Sequence, residues 1–466
     1  MADRHTAHGY WIEEAGGLPQ PLPALEGERS ADVVVVGGGY TGMWTAWHLK
    51  QLEPNASVVL LEAEVCGEGP SGRNAGFVNT LWFSLPNLRR RFGDERAIAV
   101  ARAAQAAADA IGDFCAAERV EAWFHRGGYM HVSTSPGWDG DWVEELRACA
   151  ELGEPDAGCE LTAADVAERC ASPIFRGGVL YPGSATVQPA RLAFGLRARL
   201  RERGVEIHEK SPVLGLERDG DAARVRTSRG TVRAGAAIVA AGGRALTFPG
   251  LRRRLTLTSS HLVLTEPVPD FLAEIGWTGG ECITDSRAMI HYFRTTPDGR
   301  IAFGWGAGRV VYGARTRGRA EVDARVVGEV EAHLRRFFPG LAGRRVEHAW
   351  GGPIDVSPSH LPIAASLDGS IHYGFGYTGN GVGPSHMVAR SLASLALDRR
   401  DDASRLAIVE PAARKVPPEP FRYLGGSIVR RALLRREDAI DRGRTPDPLT
   451  SFIAGIPERI GIHVGR

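Results

Sequence analysis

Lysine is almost missing from this sequence. Only Lys50, Lys210 and Lys415 occur, and arginine supplies nearly all of the 56 basic side chains in the 466 residues. Against them stand 55 acidic residues, so the formal net charge is +1 and no segment carries the basic stripe that a phosphate backbone demands. Nucleic acid is thereby excluded as the expected partner. Long apolar runs are missing too. The longest, 32–37 and 235–241, are strand length and fall far short of the ~20 residues a bilayer crossing takes, which predicts no membrane span. Cysteine is sparse: Cys66, Cys115, Cys149, Cys159, Cys170 and Cys282 form no C-x-x-C pair, and the start is unlike a signal peptide. These absences predict a reduced, cytoplasmic setting and no metal site. No internal repeat of fixed period occurs, which excludes solenoids and propellers.

What is present is an α/β pattern long enough for two packed domains. Residues 1–30, with Pro19, Pro21 and Pro23 among polar side chains, read as an extended lead-in. Residues 31–36 are a continuous apolar run, the pattern of a strand buried on both faces of a parallel sheet. A glycine turn, a helix over 43–52 and a second strand over 57–62 complete one βαβ unit. In Gly37-x-Gly39-x-x-Gly42 the first glycine allows the tight turn, the second lets backbone approach a pyrophosphate, and the third lets helix pack on strand. Unpaired N–H groups and the helix dipole then receive the phosphate charge. Glu62, twenty-five positions past Gly37, offers a carboxylate to ribose hydroxyls and would repel a 2′-phosphate. A dinucleotide other than NADP is implied.

A helix over 189–203, a strand over 204–208, a hairpin over 212–229 and a buried strand over 234–241 extend this domain. From 254 the texture changes to alternating strands at 255–264, 287–295 and 300–305, which predict an antiparallel sheet. Helices are expected over 95–118, 321–338, 384–398 and 425–440. The expected division is a 1–30 extension, a nucleotide-binding domain from 31–85, 188–250 and 347–400, a substrate domain from 86–187 and 251–346, and a helical tail over 401–466.

Residues 32–62, the run Cys66-Gly-Glu-Gly-Pro-Ser-Gly-Arg-Asn-Ala-Gly76, Ala240-Ala-Gly-Gly243, Trp350-Gly-Gly-Pro353 and Gly374-Phe-Gly-Tyr-Thr-Gly-Asn-Gly381 together resemble the FAD-dependent D-amino-acid oxidase superfamily. Within it, Tyr10-Trp11, the Ser-Gly-Arg-Asn run at 71–74 and the segment from Pro417 to Gly426 look like the branch of gamma-glutamylputrescine oxidase and aminophosphonate oxidoreductases. The resemblance implies a discontinuous Rossmann-like FAD domain plus an antiparallel-sheet substrate domain with flanking helices. It implies non-covalent FAD and oxidation of the C–N bond of a small primary or secondary amine to an imine, hydrolysed to an aldehyde or ketone. O2 would reoxidise the flavin, giving H2O2. A dehydrogenase or desaturase using another acceptor, and a non-catalytic flavin-binding protein, are the alternatives; NAD is the competing dinucleotide.

FAD contacts are then expected at Gly37, Gly39, Tyr40, Thr41, Gly42, Glu62 and Ala63, and along Ser71, Gly72, Arg73, Asn74, Ala75 and Gly76. Val213 is expected by the adenine, with Ala241, Gly242, Gly352, Gly376, Thr378, Gly379, Asn380 and Gly381 toward the flavin. Catalytic candidates are His291, Tyr292, Arg294 and Asn380. Strand alternation sets 287, 289, 291 and 293 on one side, so either His291 faces the pocket or Tyr292 does, with Arg294. Trp82, Trp305, Trp350 and His360 are candidate walls. Sarcosine-oxidase-like relatives carry an oxygen-activating Lys where this chain has Ala302 or a neighbour. Relatives that take amino acids place Arg or Lys in the last glycine-rich loop, where this chain has Thr378, Asn380 and Gly383. An amine with its anion elsewhere, or with none, is therefore favoured over a simple α-amino acid. Cys66 and Cys282 leave a covalent flavin link open.

Overall fold

The apolar run at 31–36 needs both of its faces covered, and the fold meets that need with two hydrophobic layers. In the computed structural model, which describes residues 8–409 and 415–464, Gly27–Val36 is a central strand of an eight-stranded sheet. It pairs in parallel with Val58–Leu61 on one side and Gly230–Val239 on the other. Glu206–His208 and Ile371–Phe375 extend the parallel order outward, and Ile363–Ser366 closes one edge antiparallel. Val33 and Val35 pack into one cluster with Met43 and Trp44, whereas Val34 and Val36 pack into another with Val239 and Phe375. Each such burial contributes roughly 1.5–3 kcal/mol.

Helix Tyr40–Leu52 is buried along nearly its whole length because helices Pro189–Glu202 and Val382–Ala396 cover its outer side. Helix Asp94–Ala117 packs on Val382–Ala396, and its buried face carries Ala97, Ala101, Ala104 and Ala108, small side chains that permit close approach. No helix among the described residues is long and apolar enough to cross a membrane.

The second sheet has nine strands, ordered Val310–Val311, Thr256–Thr265, Ile301–Trp305, His291–Thr295, Cys282–Asp285, Tyr129–Val132, Gly178–Tyr181 and Cys159–Leu161, with Val346–Val356 also paired to Thr256–Thr265. Every pairing is antiparallel except Cys282–Asp285 with Tyr129–Val132. Residues 347–356 therefore belong to this sheet, so the boundary drawn from the sequence at 346/347 moves past Val356. The lead-in also differs from expectation. Residues 10–14 form a short helix whose Tyr10, Trp11 and Ile12 are buried, with Trp11 edge-on to Trp350 at 6.0 Å. Its three aromatic and aliphatic side chains outweigh the extended bias of the prolines that follow.

The tail holds more than one helix: Phe421–Asp441 is followed by Pro448–Ala454 and Ile456–Arg459. Arg287, buried in the connection between Cys282–Asp285 and His291–Thr295, ties the long helix down with Nη2 at 2.6 Å from Asp438 and Nε at 3.3 Å from Glu437.

Candidate active site

Residues of both sheets and of the tail enclose one cavity of about 1680 Å³. Small-ligand pockets measure about 300–1,000 Å³, so this one has room for an extended cofactor and a substrate together.

At the first sheet the wall is backbone. Gly37 has φ +116°, and a Cβ there would lie 2.4 Å from Ala240 O. A Cβ on Gly42 would lie 1.9 Å from Gly37 O, which is what lets helix Tyr40–Leu52 start against the strand. The N-cap, Gly39, has no side chain to cap that helix; Gly39, Tyr40 and Thr41 line the cavity, and of the first N–H groups that of Tyr40 donates to Ser71 Oγ at 2.8 Å. The uncapped N-terminus is a ready anion site. Glu62 Oε2 accepts the Gly38 N–H at 2.6 Å and Oε1 accepts the Glu64 N–H at 2.8 Å. Burial pushes its carboxyl above the usual range, and these two N–H bonds oppose the rise.

Segment 71–76 is a self-braced loop. Asn74 Nδ2 donates to Pro70 O and Ser71 O, and its Oδ1 accepts the Gly76 N–H at 2.7 Å. Arg73 is buried and paired with Glu321 at 3.1 Å. Of the expected cofactor contacts, Gly37, Gly39, Tyr40, Thr41, Glu62, Ala63, Ser71, Arg73, Asn74, Ala75, Val213, Ala241, Gly242, Gly352, Thr378, Gly379, Asn380 and Gly381 lie on the cavity wall. Gly42, Gly72, Gly76 and Gly376 stand behind it as close-approach positions: Cβ atoms there would meet Gly37 O, Gly67 O at 2.3 Å, Val187 O at 2.1 Å and Ser357 Cβ at 2.8 Å.

The second sheet forms the opposite wall; the strand expected over 287–295 begins only at His291, after a turn, and the structure chooses between the two faces of His291–Thr295. Tyr292 lines the cavity and its hydroxyl is 2.5 Å from Ser260 Oγ, which donates to Trp305 O. His291 points the other way and does not reach the pocket. Its Nδ1 is 2.6 Å from Asp285 Oδ2 and its Nε2 is 2.8 Å from His333 Nδ1, in a buried setting that lowers the imidazole's basicity. Arg294 shares Tyr292's parity yet is also off the wall. Its Nη1 donates to Val187 O at 2.6 Å and Gly76 O at 3.4 Å, joining the 71–76 loop to the sheet, and burial lowers its pKa to about 10. Asn380 is on the wall: Nδ2 donates to Thr80 O at 3.4 Å, while its buried Oδ1 has no partner.

Three expected walls are core residues instead, because each indole N–H finds its acceptor in the protein. Trp82 donates to Gln105, Trp305 to Met289 O and Trp350 to Arg73 O. His360 does line the cavity. Sequence reasoning missed Tyr129, Thr284, Ser260, Asp355 and, from the tail, Phe421, Val429 and Arg430. The period-two pattern of the second sheet could have flagged Tyr129 and Thr284. Nothing in the sequence links the tail to the pocket. Asp355 is pushed up to about 6 by burial and accepts the Gly376 N–H at 2.7 Å, holding the glycine-rich loop.

The glycine turn, the uncapped helix start, the carboxylate after the second strand and the unpartnered Asn380 Oδ1 together fit a dinucleotide that also carries N–H donors on its far ring. Residues 32–395 match the family model described as DAO, FAD dependent oxidoreductase, so the chain belongs to the FAD-dependent oxidoreductases of that family and FAD is its cofactor. Gamma-glutamylputrescine oxidoreductase of Escherichia coli (strain K12) is 30% identical over 411 residues, covering 86% of this chain and 90% of that one. Sarcosine oxidase subunit beta of Arthrobacter sp is 27% identical over 353 residues, covering 72% and 80%. Among solved structures, glycine oxidase from Geobacillus kaustophilus matches with a TM-score of 0.66 at 17% identity, covering 83% of this chain and 100% of that one, a likeness of fold.

Proposed function

We propose that this protein oxidises the C–N bond of a small primary or secondary amine to an imine, which water hydrolyses to an aldehyde or ketone. The observation that carries the reading is the continuity of the cavity. The wall built by the glycine turn and Glu62 runs on to a chamber bounded by Tyr292, Leu262, Met289 and Ile290 and covered by the tail helix. When bound, FAD supplies the two-electron acceptor for such a reaction. The relatives' names support it: gamma-glutamylputrescine, sarcosine and glycine are what those proteins are named for.

The chain's part is to position and to exclude water. Burial keeps the Tyr292 hydroxyl protonated, and Ser260 fixes its direction, giving the amine a neutral hydrogen-bonding partner. Loop 374–381 offers no cation to clamp a carboxylate beside the reacting carbon. Arg430, on the tail helix, is the better anion site. Its Nε donates to Ala307 O at 3.0 Å, its Nη2 donates to the same oxygen, and no carboxylate pairs with it among the described residues. Of the other arginines on the wall, Arg73, Arg244, Arg317 and Arg422 are paired with Glu321, Glu64, Glu64 and Glu419, and Arg315 lies over the Tyr312 ring. An amine whose anionic group is remote from the reacting carbon suits this layout.

FAD is held without a covalent bond in this reading. Cys66 and Cys282 are both fully buried off the wall, and burial pushes their thiols up, that of Cys282 to about 12. Acid precipitation should leave a colourless pellet. The electron acceptor divides the oxidase reading from the dehydrogenase one. Ala302 is buried against the lead-in helix, and no lysine lies on the wall among the described residues, which favours an acceptor other than O2.

Anaerobic photometry tests the whole. Polyamines, aminophosphonates, N-methyl amines and D-amino acids are mixed with the holoprotein; at least one should bleach the flavin band, and if none does, C–N oxidation is the wrong reaction. Under air, one peroxide per amine identifies an oxidase, and a yield near zero identifies a dehydrogenase.

A further inference from the structure

A string of buried polar groups leads away from the chamber, and positioning the amine makes no use of it. Strands Tyr129–Val132 and Cys282–Asp285 lie side by side with His131 in register with Thr284. Tyr129 and Thr284 both reach the cavity wall, and Tyr129 Oη is 2.6 Å from Thr284 Oγ1. Thr284 Oγ1 is 3.4 Å from His131 Nδ1. On the far side His131 Nε2 is 3.2 Å from both carboxylate oxygens of Asp141 and 3.1 Å from Ser286 Oγ. The His131 side chain is 1% exposed and that of Asp141 31% exposed, so the string starts in the pocket and ends at solvent. Trp142 lies edge-on to His131, and Phe83 and Tyr181 flank Tyr129, so aromatic rings line the string on these sides. Polar groups in such a place are costly unless bonded, and here they are bonded in series.

We propose that Tyr129, Thr284, His131 and Asp141 form a proton conduit that takes the proton from the bound ammonium out to solvent, leaving the neutral amine that can be oxidised. The inference rests on the amine reading above. An alkylamine arrives protonated at neutral pH, its pKa being about 10. A hydride leaves the carbon readily only when the adjacent nitrogen has a free electron pair. So R–NH3+ must become R–NH2: one N–H bond breaks, its electron pair stays on nitrogen, and nothing is oxidised or reduced. The proton passes to a chamber hydroxyl, whose own proton moves along Thr284 Oγ1 to His131 Nδ1. His131 Nε2–H gives its proton to Asp141, which releases it to water. Asp141 fixes the imidazole tautomer this needs, with Nε2 protonated and Nδ1 accepting.

The charged groups facing His131 are Asp141, Glu145 and Asp285, all carboxyls. Glu145 is bonded to the Tyr181 hydroxyl, and Asp285 is bonded to His291. Burial works against the imidazolium and these carboxyls support it, with the balance raising the basicity of His131. That suits a carrier that must be protonated in passing.

The test uses holoenzyme variants Asp141→Asn, Thr284→Val and His131→Gln, each checked for an unaltered flavin spectrum. With an amine that bleaches the wild type, anaerobic flavin reduction near pH 7 should slow at least tenfold, within the span typical of lost proton transfer. The deficit should shrink to less than about twofold near pH 10.5, where most of the amine arrives neutral. A deficit of equal size at both pH values marks a structural role and overturns the conduit, as does no deficit at pH 7. Asp141 is partly exposed and Thr284→Val is nearly isosteric, so these two carry the test if His131→Gln fails to fold. A second arm stands apart from amine chemistry. Exchange of the His131 ring N–H with water, read by 15N NMR, should slow at least tenfold in Asp141→Asn; equal rates overturn the conduit even if no amine reduces the wild type, a result that by itself would sink only the amine reading.

Discussion

Replacing Glu62 by Gln leaves the shape of the nucleotide end almost unchanged and removes one charge, so its effect on FAD can be worked out. Glu62 accepts Gly38 N–H at 2.6 Å and Glu64 N–H at 2.8 Å, and it lines the cavity. A glutamine can satisfy one of those N–H groups with its carbonyl but turns an NH2 donor toward the other. It also loses the charged acceptor that ribose hydroxyls would use. A hydrogen bond to a charged group contributes about 1.5–3 kcal/mol, so the Kd for FAD should rise about 10- to 150-fold. The assay is titration of stripped protein with FAD, followed by flavin fluorescence. ADP, which carries the ribose without the flavin, should weaken in the same proportion, and FMN should not. The reasoning fails if FAD affinity is unchanged, or if FMN weakens as much as FAD does. A pH dependence follows with a definite sign. Burial raises the Glu62 carboxyl above the ordinary range. Hydroxyl donors prefer the ionised form, so FAD binding should weaken as pH falls through that raised value, and Glu62→Gln should lack this fall.

Gly42→Ala places a Cβ 1.9 Å from the carbonyl of Gly37, backbone against backbone. Overpacking of this kind costs about 1–3 kcal/mol, so the variant should be paler and melt lower; a fully yellow protein with wild-type Tm refutes it. The Glu145 carboxyl is pushed from 4.5 to about 7 by burial, so its stabilising contribution is fully present below about 4.5 and is lost as pH rises through about 7. Glu145→Gln should thus be up to roughly 3 kcal/mol more stable than wild type in urea at pH 8, with no such gain at pH 4. Arg430→Gln should lower kcat/KM about 10- to 150-fold for amines with a distal carboxylate or phosphonate and leave uncharged-tail amines alone. Equal losses for both substrate types count against Arg430 as the anion site.

The nucleotide half was legible because its requirements are backbone requirements. Gly37 and Gly42 are forced by atoms within their own βαβ unit or the adjoining strand, and a local pattern can record that. The opposite wall obeys no such local rule. Alternation along His291–Thr295 names two faces without saying which one meets the cavity. That choice is made by Asp285 and His333, which take up His291, and by Ser260, which takes up Tyr292. Arg294 shows that even the right face is insufficient, since its end of the strand lies over the junction of Gly76 and Val187. The tail was least legible. Its place over the chamber depends on the pairing of Arg287 with Glu437 and Asp438 across some 150 residues, which no spacing reveals.

The charge pattern of the second-sheet wall bears on which form of the amine it holds. Of the acidic residues lining the cavity, Glu62, Glu64, Glu68, Glu217, Asp355 and Glu321, only Asp355 sits on a strand of that sheet. Burial holds Asp355 near 6, and its carboxylate oxygen is already engaged by the Gly376 N–H. For holding the amine the sheet offers hydroxyls there, those of Tyr292 and Ser260. A free carboxylate in their place would stabilise an ammonium by charge and so withhold the electron pair that oxidation needs. Hydroxyls bind the neutral amine without that penalty. With the carboxyls set back beyond Thr284, around His131, negative charge can draw the proton outward while the reacting nitrogen stays uncharged.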